Sequence, residues 1–409
     1  MRLTDATLLR AAANRAARRP GFLGYDLAGY REVIGEDPAA WLGVDAERLD
    51  RLALCRTPRR GVHFAHDILA ISTHVDVDAL ALIGLIRRVE VLAELQRATQ
   101  RLDEEPEPDR AAEMLTAARD DIDEYTALSN TRPSASGPPG WVHDAVHQLW
   151  AVAPVSMQFP RDLDFAVLIG LPLALVELPR LSLHAISEWL TDHKVDLNVA
   201  EQGDRRLRAC LIALGGVGLI FVDAEDDPTQ RRVSLGHEAA HFIVEYLLPR
   251  QEVARRRPEL LELVDGQRPP TARERLSAVL SDVPIGIHTH VLHHGDGHGG
   301  DRRVDEAEWR ARRVALEMLA PQSVVLERMF QAGRAEPEEV RQLLVEEFGL
   351  PVPLAADYAE QLVILAGPPR LGLLDALGRA QTGPSSSREP DTSAEDARDR
   401  KSEVDPEDE

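Results

Sequence analysis

The stretch Ser234 to Pro249, "SLGHEAAHFIVEYLLP", sets two histidines four residues apart with a glutamate directly after the first. In an α-helix, positions four apart share a face at about 6 Å along the axis, so His237 and His241 can grip one cation together. Glu238 lies about 100° round the helix, within reach of a water on that cation. The other face, Leu235, Ala239, Phe242, Ile243 and Tyr246, is an unbroken apolar stripe. A helix drawn into the interior by that stripe leaves its imidazoles needing partners, and a metal ion supplies them. The competing reading is an ordinary buried helix that matches His-Glu-x-x-His by chance. Three features favour the metal: a β-hairpin feeds the helix, Ser234 is placed as its N-cap, and a third ligand can be found.

Zinc with an open catalytic position takes three protein ligands and a water. Glu245 cannot join His237 on one ion, because it lies about 12 Å further along the axis. Val244 and Leu247 stand where the extended zincin pattern places its glycine and third histidine. The third ligand is therefore sought on a later helix, "EAEWRARRVALEMLAP", Glu306 to Pro321. Its small-residue face runs Glu308, Ala311, Ala315, Met318 and Leu319, while Glu306, Arg310, Arg313 and Glu317 are assigned to a solvated face. Glu308 begins the face that must pack on the first helix, with Ala311 and Ala315 permitting close approach, so Glu308 is the expected third ligand. The plainer role for it is a glutamate favoured by the helix dipole.

Between the two helices lies "HTHVLHHGDGHGG", with His288, His290, His293, His294 and His298. A second metal site, a proton donor or an oxyanion-stabilising histidine is possible there, and a solvated Gly- and His-rich loop is the ordinary alternative.

The motif "RRVSLGHEAAHFIVEYLLP", followed by Glu-x-x-Ala-x-x-Val-Ala-x-x-Met-Leu-x-Pro from Glu308 to Pro321, resembles the ImmA/IrrE family of zinc metallopeptidases. The resemblance spans about 171–365, from the hairpin ending in "FVD" to "FGLPVPLAADYAEQL". It implies His237, His241 and Glu308 as zinc ligands, Glu238 as catalytic base, and a helix-turn-helix repressor as substrate, cut to switch on stress or mobile-element genes. Ala240 stands where the family usually has glycine and Val314 where it usually has phenylalanine. The segment between His241 and Glu308 is longer than usual for the family, so substrate identity does not carry over.

These residues need a scaffold. At 409 residues, 44% hydrophobic and 28% charged, the chain can bury a sizeable core. The expected class is α+β: mostly helical, with a zincin-like metallopeptidase domain that has a small sheet and an active-site helix, preceded by an all-α domain. The expected organisation is a helical N-terminal domain over 1–128, a linker over 129–140 ("SNTRPSASGPPG"), the metallopeptidase domain with trailing helices over 141–370, and a disordered acidic tail over 371–409. An acidic surface helix is expected over 101–123. "VDAERLDRLALCR" from Val44 and "VDVDALALIGLIR" from Val75 match at several offsets, which suggests duplicated helix-turn-helix-like units. Two unrelated amphipathic helices would look the same. "PLALVELP" reads as a strand, "LSLHAISEWLTDHKV" as a helix capped by Ser182, and the runs flanking Gly215-Gly216 as a hairpin.

The formal net charge of −22 repels phosphate backbones, which argues against direct nucleic-acid binding, and the expected partner is the protein substrate that the resemblance implies. Only Cys55 and Cys210 are present, both expected to be packed thiols in a cytoplasmic protein. No stretch is apolar enough to cross a membrane. The expected activity is a zinc endopeptidase, and the alternative is a regulatory protein-binding or DNA-binding module whose zinc site is structural or silent.

Overall fold

The computed structural model describes residues 5–103, 138–153, 158–197, 206–268, 271, 288–293, 302–334 and 336–366. The expected helix over 101–123, the linker over 129–140 and the tail over 371–409 lie wholly or mostly outside them. Six helices come first: α1 (Asp5–Ala16), α2 (Leu23–Val33), α3 (Pro38–Leu42), α4 (Ala46–Ala53), α5 (Phe64–Val75) and α6 (Ala79–Asp103). Then follow α7 (Gly140–Trp150), α8 (Leu163–Gly170), strand β1 (Leu173–Leu178), α9 (Leu183–Asp192), strands β2 (Leu207–Leu214) and β3 (Val217–Asp223), and α10 (Pro228–His241). The remainder comprises α11 (Leu248–Arg256), α12 (Leu261–Val264), strand β4 (His288–His293), α13 (Arg302–Leu319), α14 (Gln322–Ala332), α15 (Pro337–Glu346) and α16 (Val352–Ala366). The described chain is mostly helical with one small mixed sheet, as an α+β protein should be.

The sheet runs β1-β3-β2-β4, with β1 parallel to β3 and the other pairs antiparallel. Gly215 and Gly216 form the two-residue hairpin turn at φ 63° and 84°, values that suit glycine far better than any residue with a Cβ. Both faces of the sheet are covered. On β2, Ala209, Leu211 and Ala213 enter one apolar cluster, together with α10 and α13. Cys210, Ile212 and Leu214 enter the other, with Val91, Leu92 and Leu95 of α6 and Ile186 and Leu190 of α9. This alternation is the period of a strand whose side chains point to opposite layers. Ser182 caps α9 by accepting from the Ala185 N–H at 3.2 Å, as expected.

The two sides of the expected linker do not enclose separate cores. Leu27, Phe64, Ile68 and Ile83 share one buried cluster with Leu149, Val167, Phe242 and Leu319. The Arg87 guanidinium also donates from α6 to the Leu168 carbonyl at 2.9 Å. The apparent repeat also dissolves. Asp45 caps α4, whereas the matching Asp76 ends α5 in a left-handed conformation (φ 58°), and Asp78 caps α6 instead. Leu82, Ile83, Leu85 and Ile86 are buried, so this part of α6 presents no surface to DNA.

Gly218 on β3 faces the end of α10, and a Cβ there would lie 2.9 Å from the Phe242 ring. Overpacking of this kind forces neighbours off their rotamers at about 1–3 kcal/mol. Gly218→Val should therefore lower the urea midpoint by a matching amount, and an unchanged midpoint would show that sheet and helix have slack.

On α13 the expected solvated face is half wrong. Arg313 is buried and donates to Gln322 Oε1 at 2.9 Å, and Glu317 accepts from the Gln322 N–H at 3.1 Å. Burial raises the Glu317 carboxyl. The start of α14 and the packing of α16, whose Tyr358 hydroxyl donates to the Ala320 carbonyl, cover what a lone amphipathic helix would leave wet.

Candidate metal centre

The helix carrying His237, Glu238 and His241 starts earlier than its apolar stripe suggests. Asp227 caps it by accepting from the N–H groups of Thr229 and Gln230 at 3.0 and 3.1 Å, with Pro228 at the first helical position. Ser234 is not the N-cap. It is buried mid-helix, where its hydroxyl accepts from Gln230 Nε2 at 3.4 Å. After His241 the backbone widens into a π-helical turn, Phe242–Leu247, in which the Leu248 N–H donates to the Ile243 carbonyl. Pro249 lacks the N–H that would continue the ordinary ladder, so a shift of hydrogen-bond register lets the chain run on into α11. The Tyr246 hydroxyl, accepting from the Gly216 N–H at 2.7 Å, ties this turn to the hairpin.

Gly236, Ala311 and Ala315 let α8, α10 and α13 approach closely. A Cβ on Gly236 would sit 3.1 Å from a Leu163 methyl, and both alanines are buried. This approach delivers Glu308 to the imidazoles. Glu308 Oε2 lies 3.1 Å from His237 Nε2 and 3.8 Å from His241 Nε2, and the two Nε2 atoms are 3.1 Å apart. Donors arranged tetrahedrally at zinc bond lengths of 2.0–2.1 Å are about 3.3–3.4 Å from one another, so these three atoms fit one face of such a site. The four residues named from the sequence are thus brought together.

Two further residues belong to the cluster. Glu245 Oε2 is 2.9 Å from His241 Nδ1. A carboxylate on the outer nitrogen fixes the tautomer and turns the Nε2 lone pair inward, the usual setting of a metal-ligating histidine. Its signal was readable: a glutamate four residues after the second histidine shares its helix face. His290, on β4, places Nδ1 at 2.9 and 3.2 Å from the two oxygens of Glu238, and Nε2 at 2.7 Å from Glu308 Oε1. Its ring stacks on that of His241 at 3.6 Å. His237, His241, His290 and Glu308 form a group that could hold a metal ion, with one donor atom from each and all four within 4.8 Å of one another.

Of the other histidines in that segment, His288 lies 3.4 Å from Glu245 Oε2 without hydrogen-bond alignment. His294 and His298 fall outside the described residues, and of His293 only the backbone, paired with Leu207, is described. Both cysteines are packed thiols pushed up by burial.

The centre is buried and rich in carboxylates. Burial works to raise Glu308 and Glu238, but the imidazoles of His237, His241 and His290 overcome it and hold both below the usual carboxylate range. Burial likewise opposes a charged His290, yet Glu238 and Glu308 push it up to about 10. In the metal-free chain, stability resting on the depressed carboxylates is present above their unfolded value, about 4.3, and disappears as pH falls. Stability resting on His290 is complete below about 6.5 and is lost as pH rises through about 10. The urea midpoint of chelator-treated wild type should thus exceed that of His290→Asn at pH 6 and converge on it above pH 10. A gap unchanged across that range would contradict the charge assignment.

A scan against protein-family models, a search of curated proteins and a search of solved structures each found no match to this chain.

Proposed function

We propose that this chain is a zinc-dependent endopeptidase of the ImmA/IrrE kind, with a zincin-like centre. It hydrolyses a protein substrate, a helix-turn-helix transcriptional repressor, in cytoplasmic control of stress or mobile-element genes. The supporting observation is the approach of Glu308 Oε2 to both imidazoles of α10, at 3.1 and 3.8 Å. His237, His241 and Glu308 hold the zinc, and Glu245 orients His241. When bound, zinc lowers the pKa of its water towards about 7 and polarises the scissile carbonyl. Glu238 accepts the proton of the attacking water and passes it to the leaving amine. An extended peptide suits the nearby sheet edge, where main-chain hydrogen bonds would order it. The edge strand beside the site is β4, which carries His290, and not the β2–β3 hairpin itself. The N-terminal helices, sharing a core with the rest, would choose or restrain the target.

The test is incubation of the full chain with the repressor encoded beside its gene. Discrete cleavage, lost on chelation and restored by zinc, is the expected outcome, and an intact repressor under all conditions would refute the proposal. A second reading, a regulatory binding protein with a structural or silent metal, gains support from one contact: Glu238 is held by His290. It predicts repressor binding without cleavage. Among the described residues no helix is long and apolar enough to cross a membrane.

A further inference from the structure

Hydrolysis at a zinc centre needs a coordination position left open by the protein. The side of this centre that faces β4 is not open. Glu238 and His241 are fully buried, and the side chains of His237, His290 and Glu308 are only 12%, 14% and 19% exposed.

We infer that His290 is a fourth, exchangeable protein ligand delivered by β4, so that the centre rests closed on four side chains and admits a peptide only when this imidazole withdraws. The inference rests on the peptidase reading of the same site and adds its regulation. Three observations carry it. First, the His290 ring is set as a ligand is set: its Nδ1 is held by a carboxylate, Glu238, and its Nε2 is directed inward at Glu308. His241 repeats this arrangement with Glu245 outside and Nε2 inside. Second, the donor atoms of all four residues already lie within 4.8 Å of one another.

Third, β4 occupies the edge of the sheet next to the centre. It pairs with β2 in antiparallel register, Leu211 opposite His290 and Cys210 opposite Val291. The pleat sends His290 to the face of α10 and Val291 to the opposite apolar cluster. A segment of the chain itself therefore lies along β2 where an extended peptide would otherwise pair. The same imidazole also engages Glu238, so one contact fills the open position and holds the base. A peptide strand exchanging with β4 on β2 would release both.

The experiment uses the full chain, stripped of metal and loaded with Co2+, with azide as the probe of an open position and visible absorption as the readout. Zinc affinity is measured in parallel by competition with a chromophoric chelator. His290→Ala should bind azide at concentrations that leave the wild-type spectrum unchanged, and its zinc affinity should fall about tenfold or more. His290→Asn provides the same comparison if the alanine variant does not fold. Thr289→Ala, in the same strand, should match wild type in both measurements. Equal azide binding and equal zinc affinity in wild type and the His290 variants would overturn the inference. If wild type nevertheless cleaves a repressor in a Glu238-dependent manner, the peptidase reading survives that loss. The expected cobalt and zinc results without cleavage of any repressor would support the fourth ligand and remove the peptidase reading instead.

Discussion

Glu238→Gln is expected to leave the metal in place and to slow peptide hydrolysis by a factor of about 10²–10⁴, the range a positioned general base contributes. The amide keeps the shape of the carboxylate, and its oxygen can still accept from His290 Nδ1, so the surroundings have no reason to rearrange. What it cannot do is take a proton. Glu238 is held to the centre through His290 Nδ1, at 2.9 and 3.2 Å, so its loss should weaken zinc binding by no more than the roughly 10–100-fold that an outer partner carries. Single-turnover cleavage beside zinc content by elemental analysis separates the two effects. A variant that cuts at the wild-type rate would remove Glu238 from the chemistry.

Glu308→Ala should have the opposite profile, losing the metal first and activity as a consequence. Its carboxylate lies against three imidazoles, from His237, His241 and His290, and is the only carboxylate in the group of four. Removing it leaves buried nitrogens short of a partner, at about 1–3 kcal/mol for each unsatisfied group. It also removes the anionic ligand that offsets the cation. Zinc should raise the melting temperature of wild type by mass action and leave that of Glu308→Ala nearly unmoved. Glu245→Gln, which alters the carboxylate at the outer nitrogen of His241, should retain zinc with affinity lower by about 10–100-fold. Thermal melts across a zinc titration order the three proteins, and an equal response from wild type and Glu308→Ala would show that Glu308 is no ligand.

The core of the centre was legible because its signals are local. His237, Glu238 and His241 depend on helical spacing alone, and Glu308 could be found because Ala311 and Ala315 mark the contact face of α13. The hairpin and the Ser182 cap were likewise written in a few neighbouring residues. What escaped depends on contacts distant in sequence. In the sequence His290 is only one of five candidate histidines, because it sits in a run with little apolar alternation and nothing local marks β4 as a strand until β2 pairs with it. Arg313 and Glu317 read as solvated because the helices that cover them come later in the chain. The repeat misled for a related reason, since matched residues such as Asp45 and Asp76 serve opposite ends of helices. The true start of α10 was available in Asp227-Pro228, a cap followed by a proline at the first helical position, but Ser234 stood closer to the apolar stripe.

Anomalous diffraction at the zinc edge, from crystals of the full chain grown with zinc, tests the metal centre most directly. The expected result is one strong peak about 2.0–2.2 Å from His237 Nε2, His241 Nε2 and a Glu308 oxygen. A map with no peak between those side chains, or with zinc bound only elsewhere, would contradict it.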